Sequence, residues 1–134
     1  MDTHSSSNDS EITVLLVNDS ERFLEALKEF LTAQARLKVI GTAQGGDEAI
    51  QLIQKQGPPR VILIDFHMPD RSGLQVIPAL REMVPDACII MLSLESSPRL
   101  KQAALAAGAN DYVVKDKALE ELIPAIQRCA GAKA

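Results

Sequence analysis

Four short aliphatic runs in this chain each end on a polar residue, and that repetition constrains the fold more than any other feature. Val14–Val17 precedes Asn18-Asp19, Val61–Ile64 precedes Asp65, Ile89–Leu92 precedes Ser93, and Val113-Val114 precedes Lys115. Continuous runs rich in Val and Ile, bounded by turn residues, fit strands buried on both faces. The predicted strands are Val14–Val17, Val39–Ala43, Val61–Ile64, Cys88–Leu92 and Tyr112–Val114.

Helical spacing fills the intervals. Phe23, Leu27, Phe30 and Leu31 lie at i, i+4, i+7 and i+8, with Ser20 as N-cap and Glu21 in the first turn. Ala49, Leu52 and Ile53 mark a second helix, opened by Asp47 and closed near Gly57-Pro58-Pro59. Leu74, Ile77, Leu80 and Val84 mark the third. Leu100, Ala103, Ala104 and Ala107 mark the fourth, ended by Gly108 as C-cap, and Leu119, Leu122, Ile123 and Ile126 mark the fifth, with Asp116 before it. Strand and helix alternating five times predict an α/β fold, a parallel sheet with helices on both faces. Pro78 and Pro124 fall inside helical patterns, where each removes a hydrogen bond, so these two helices are expected to kink or to pair loosely in their first turns.

The chain of 134 residues is one domain's worth, with 46% hydrophobic and 24% charged residues. A net charge of −4 argues against direct nucleic-acid binding, which usually needs a basic face. No run approaches the roughly 18 apolar residues of a membrane span. "MDTHSSSNDSE" has no apolar signal region, and residues 1–11 are expected to be a disordered leader to a domain over 12–130, with 131–134 as a tail. Cys88 and Cys129 are expected to be a buried, reduced pair in a cytoplasmic protein.

In an open parallel sheet the carboxyl ends of the strands share one rim, and ligands bind there. Asn18, Asp19, Asp65, Ser93 and Lys115 therefore arrive together. Any one of them has a plain structural role as a cap or a solvated charge. Four strand ends with complementary chemistry point to a site. Asp19 and Asp65 are hard oxygen ligands of the kind Mg2+ takes, Lys115 is a point charge suited to a phosphoryl oxygen, and Ser93 is a donor to another such oxygen. The set reads as a metal-assisted phosphoryl-transfer site in which an anionic carboxylate is the nucleophile. No G-x-G-x-x-G or G-x-x-x-x-G-K-[ST] follows any predicted strand.

"VLLVNDSERF", "VILIDFHMPDRSGL", "IIMLSLES" and "GANDYVVKD" together resemble the marked segments of the receiver domain of two-component response regulators, over roughly residues 12–130. "VIGTAQGGDEAI" and the Lys115-Asp116 ending are most similar to receivers of the LuxR/NarL type. The resemblance implies a flavodoxin-like, CheY-like (βα)5 fold with strand order 2-1-3-4-5. It also implies a phosphoprotein that is not an enzyme, taking a phosphoryl group on Asp65 from a sensor histidine kinase or histidine phosphotransfer protein. Asp19, Asp65 and the backbone carbonyl of His67 would hold Mg2+, with Asn18 acting through a water. Ser93 matches the switch hydroxyl, Tyr112 the switch aromatic, and Lys115 the lysine between phosphoryl oxygen and acid. The altered surface would be helix 4, strand 5 and helix 5, with a homodimer or effector contact there and transcription regulation where an output domain follows.

Three departures stand out. Asn18 replaces one of two acids, which removes up to about 4 kcal/mol of attraction to a metal at an effective dielectric of 20, before desolvation. Leu94 is bulky where many receivers are small, and is expected to narrow access to Asp65 or hinder Ser93. Asp116 stands where many receivers have proline, so a cis peptide there would cost about 2.5–4 kcal/mol. Asn18 and Leu94 motivate an alternative, a pseudo-receiver that serves as an interaction module with weak or no phosphorylation.

Overall fold

The computed structural model describes residues 11–34 and 36–130. The expected leader and tail fall outside the described residues, apart from Glu11. Five strands alternate with five helices: β1 Ile12–Val17, α1 Glu21–Thr32, β2 Leu37–Ala43, α2 Gly46–Gln56, β3 Val61–Asp65, α3 Gly73–Met83, β4 Cys88–Ser93, α4 Pro98–Ala107, β5 Asp111–Val114 and α5 Ala118–Cys129. A 3-10 turn, Lys115–Lys117, joins β5 to α5. The strands form one sheet in the order β2-β1-β3-β4-β5, all pairs parallel.

Alternation along each strand sorts the core into two layers. Leu15, Val17, Ile62, Ile64, Ile89 and Met91 face α2, α3 and α4. Leu16, Leu63, Cys88, Ile90 and Leu92 face α1 and α5. Every residue of β3 and β4 is buried, which is why those strands read as unbroken aliphatic runs.

The ends of the elements carry local signals. The Ser20 side chain accepts the Phe23 N–H at the start of α1. At α3, Ser72 and Gln75 form a reciprocal capping box. Gly108 closes α4 at φ 127°, a conformation that disfavours any residue with a Cβ. The start of α2 differs from expectation: Gly45 is the N-cap, and Asp47 lies in the first turn. Pro78 and Pro124 lie within α3 and α5, which both continue past them. Each ring costs one hydrogen bond, but Ile77 and Leu80, like Leu122 and Ile126, are completely buried around it. That burial holds the helices together.

The two cysteines correct the sequence reading. Cys88 opens β4 and Cys129 ends α5, their Cα atoms are 5.9 Å apart, and they are joined as a disulfide. This separation lies inside the range a disulfide requires, and it arises because α5 docks back across the sheet. No helix among the described residues is long and apolar enough to cross a membrane.

Candidate functional site

Asp65 is the last residue of β3 and is 3% exposed. Two backbone bonds fix the turn that follows it: the Phe66 N–H donates to the Leu92 carbonyl at 2.9 Å, and the Gly73 N–H to the Phe66 carbonyl at 2.8 Å. Gly73 permits that close return. A Cβ at this position would collide with the Asp65 carbonyl oxygen and come within 3.1 Å of the carbonyl carbon.

The Lys115 Nζ reaches Asp65 Oδ1 at 2.7 Å. The same ammonium lies 4.5 Å from the centre of the Phe23 ring, so α1 supplies a second electrostatic support for it. Burial pushes the Asp65 carboxyl above its ordinary pKa, and the nearby Asp19 charge adds to that, while Lys115 and, more weakly, His67 oppose it.

The neighbouring strand tips hold the remaining predicted residues. Ser93 ends β4, is fully buried, and accepts the Glu95 N–H at 3.1 Å through Oγ. Tyr112 is turned inward, 9% exposed, and its hydroxyl donates to the Glu95 carbonyl. One peptide segment therefore touches both. Asn18, 3% exposed, accepts the Ser20 N–H at 2.8 Å through Oδ1, and its buried Nδ2 has no partner among the described residues. Asp19 and His67 are exposed at the mouth, and the His67 ring packs edge-on against Phe66 at 4.7 Å.

Asn18, Asp19, Asp65, Ser93 and Lys115 thus belong to one rim, as expected from the strand-end rule. Tyr112 lies below it, reached through Glu95. Leu94 is 63% exposed and borders a groove with Ser97, Lys101, Tyr112 and Glu121. The peptide at Lys115-Asp116 is trans. Phe23 and Glu95 were not singled out in the sequence. Phe23 falls on the apolar stripe of α1 and so looks like core, whereas Glu95 acts through its backbone, which no side-chain pattern reveals.

The oxygen donors suit a hard cation. Among the described residues no three His, Cys, Asp or Glu side chains gather into a complete cage. Mg2+ does not need one, since it keeps several waters and takes one or two carboxylates.

The sheet is doubly wound, with an ion-paired carboxylate at the end of its central strand, and the comparisons with known proteins place this arrangement in one family. The chain belongs to the response regulator receiver domain family, whose profile matches residues 14–127. It is similar to the transcriptional regulatory protein MctR of Rhizobium johnstonii, with 33% identity over 121 residues, covering 90% of this chain and 56% of that protein. The chain therefore spans little more than half of that relative. Among solved structures it is similar to the receiver domain of NarL from Mycobacterium tuberculosis, at 29% identity and TM-score 0.81, covering 91% of this chain and 98% of that one. A beryllium trifluoride-activated receiver domain, DrrB, matches at 26% identity and TM-score 0.73, over 88% of this chain and 96% of that one.

Proposed function

We propose that this chain receives a phosphoryl group on Asp65 and converts it into a change of surface at α4, β5 and α5. The observation that carries this reading is the 2.7 Å ion pair of Lys115 with a carboxylate buried at the carboxyl end of β3. Such a pair costs desolvation that packing alone does not require.

In the proposed reaction an ionised oxygen of Asp65 attacks phosphorus on the imidazole of a histidine kinase or phosphotransfer protein. A P–O bond forms, the P–N bond breaks, and the electron pair stays on the leaving imidazole nitrogen. No base is needed because the nucleophile is already an anion. Lys115 offsets charge on the phosphoryl oxygens. Ser93 uses Oγ only as an acceptor of the Glu95 N–H, so its own O–H is available to donate to an oxygen of the new group. Asp19, Asp65 and the His67 carbonyl would hold Mg2+, which neutralises phosphoryl charge when bound.

Movement of Ser93 toward the phosphoryl group would release the Glu95 peptide that Tyr112 also holds. The affected face carries a groove of about 560 Å³ bordered by Leu94, Ser97, Lys101, Tyr112, Asp116 and Glu121, which suits an effector or a second copy of the chain. On this reading the protein is a cytoplasmic phosphoacceptor, not a turnover enzyme. It regulates transcription where an output domain follows residue 130.

Asn18, in place of a second acid, favours one competing reading, an interaction module that no longer takes phosphate. Incubation with Mg2+ and a small acyl phosphate separates the two. Intact mass is expected to show one added phosphoryl group in the wild type and none in Asp65→Asn. Identical masses beside a working control receiver would defeat the phosphoacceptor reading.

A further inference from the structure

We propose that Asn18 is a positioning residue that donates from Nδ2 to an oxygen of the phosphoryl group on Asp65. This rests on Asp65 being the phosphoacceptor, as proposed above.

The orientation of the Asn18 amide follows from its partner. The Ser20 N–H donates to Oδ1 at 2.8 Å, and an amide nitrogen could not accept that bond, so the two ends of the amide cannot be exchanged. Nδ2 is therefore the other end. It is buried, with two N–H donors and no partner. Native proteins rarely leave such a group unsatisfied unless a ligand completes it.

The register says which ligand. β1 and β3 are aligned with Val17 beside Ile64, so the next level up the ladder brings Asn18 beside Asp65. Asn18 continues the strand geometry, its N–H donating to the Ala43 carbonyl at 2.9 Å. Level residues on adjacent parallel strands project to the same face. Val17 and Ile64 face α2 and α3, so Asn18 and Asp65 are directed to the opposite side, where Lys115 and Phe23 meet the carboxylate.

Nδ2 makes no hydrogen bond to Asp65. A phosphoryl group on that carboxylate carries acceptor oxygens outward by roughly the length of one more tetrahedral group, toward the strand-end mouth that Asn18 shares. An acid at position 18 would repel those oxygens; the amide attracts them. Nδ2 is a donor and cannot accept a proton from metal-bound water, so this free end is matched to a phosphoryl oxygen and not to the hydration shell of Mg2+.

The test uses the whole chain with beryllium trifluoride as the phosphoryl mimic, at saturating Mg2+. Asn18→Asp keeps the acceptor for the Ser20 N–H and replaces only the donor, and Asn18→Ala removes both. Asn18→Ala and Asn18→Asp are each expected to weaken anion binding about 10- to 100-fold, the effect of one hydrogen bond to a charged acceptor. In the same titrations Asn18→Ala leaves Mg2+ affinity of the anion-free protein within about twofold, while Asn18→Asp tightens it. In the wild type the Asn18 side-chain amide signal in an NMR spectrum shifts downfield when the anion binds. Unchanged anion affinity in both variants, or a Mg2+ affinity that falls in Asn18→Ala as much as anion affinity does, overturns the inference. Failure of the wild type to bind the anion, or equal binding by Asp65→Asn, instead removes the phosphoacceptor reading and this inference with it.

Discussion

Substituting Gly73 by alanine tests how closely the phosphoacceptor depends on the turn behind it. Gly73 is the first residue of α3, and its N–H closes the β3–α3 turn onto the Phe66 carbonyl. An added Cβ would overlap the Asp65 carbonyl oxygen, lie 3.1 Å from the Asp65 carbonyl carbon, and lie 3.3 Å from the Phe66 Cα. All three are backbone atoms, so no side chain can rotate away. Restoring an ordinary carbon contact of about 3.5 Å or more requires the end of β3 and the start of α3 to separate by about 1 Å.

Two effects follow. Overpacking of this kind costs about 1–3 kcal/mol, or roughly a 4–12 °C lower unfolding midpoint for a domain of this size. Displacement of a nucleophile by about 1 Å costs on the order of 100-fold in rate. Gly41→Ala is the control, because a Cβ there meets Leu15 and Leu52 side chains at 3.5 Å, an ordinary contact. Thermal unfolding and the rate of mass gain from a small phosphodonor would be compared across wild type, Gly41→Ala and Gly73→Ala. A Gly73→Ala protein within about 1 °C and twofold of the control would refute the steric reasoning.

Three other outcomes are expected. The Asp65 carboxyl has a folded pKa raised above its unfolded value, so its stabilising contribution is complete below the unfolded pKa and is lost as pH rises through the folded one. Asp65→Asn should therefore melt higher than wild type at pH 7, with the advantage shrinking as pH falls toward 4; a wild type more stable than the variant at pH 7 would contradict this. Arg81 donates to the carbonyls of Ala87 and Gly108 and to Asn110 Oδ1, at 2.6–3.0 Å, tying α3 to the loop before β5. Arg81→Lys keeps the charge but not the fork, and should lose about 2–4 kcal/mol in chemical denaturation. The oxidised chain should show no reactive thiol until reduced, and Cys129→Ser should lower its unfolding free energy by up to about 4 kcal/mol, the loop-closure value for cysteines 41 residues apart.

The residues that were legible in the sequence are those whose chemistry is forced by position. β3 and β4 are buried on both faces, so nothing but aliphatic side chains fits, and the polar residue after each run marks the rim. β2 is an edge strand with only Ala43 fully buried, so its pattern is weaker and its true start, Leu37, lies two residues before the expected Val39. The disulfide is illegible for a different reason: its two ends meet only after α5 docks, which local spacing does not encode. Arg81 is similar. On a helix pattern it looks like one more solvated cation, and its role depends on a loop 27 residues later. At the strand-end rim, Asp65, Ser93 and Lys115 were legible from their types, whereas Glu95 escaped because it is held through its N–H and carbonyl.

That shared Glu95 segment bounds how strong the proposed switch can be. Tyr112 is inward and its hydroxyl donates to the Glu95 carbonyl, while Ser93 Oγ accepts the N–H of the same residue, so on the proposed switch the Tyr112 ring and Ser93 are linked through one peptide segment. The contact that the proposed phosphorylation would change most directly is that of Ser93, which would exchange the Glu95 N–H for a phosphoryl oxygen. One hydrogen bond to a charged acceptor contributes about 1.5–3 kcal/mol. Moving a two-state equilibrium from 1:99 to 99:1 needs about 5.5 kcal/mol of differential interaction. If Asp65 takes the phosphoryl group as proposed, that one exchange would shift the equilibrium only partway, and a partner on the α4–β5–α5 face that binds one arrangement of the Glu95 segment better than the other would supply the remainder.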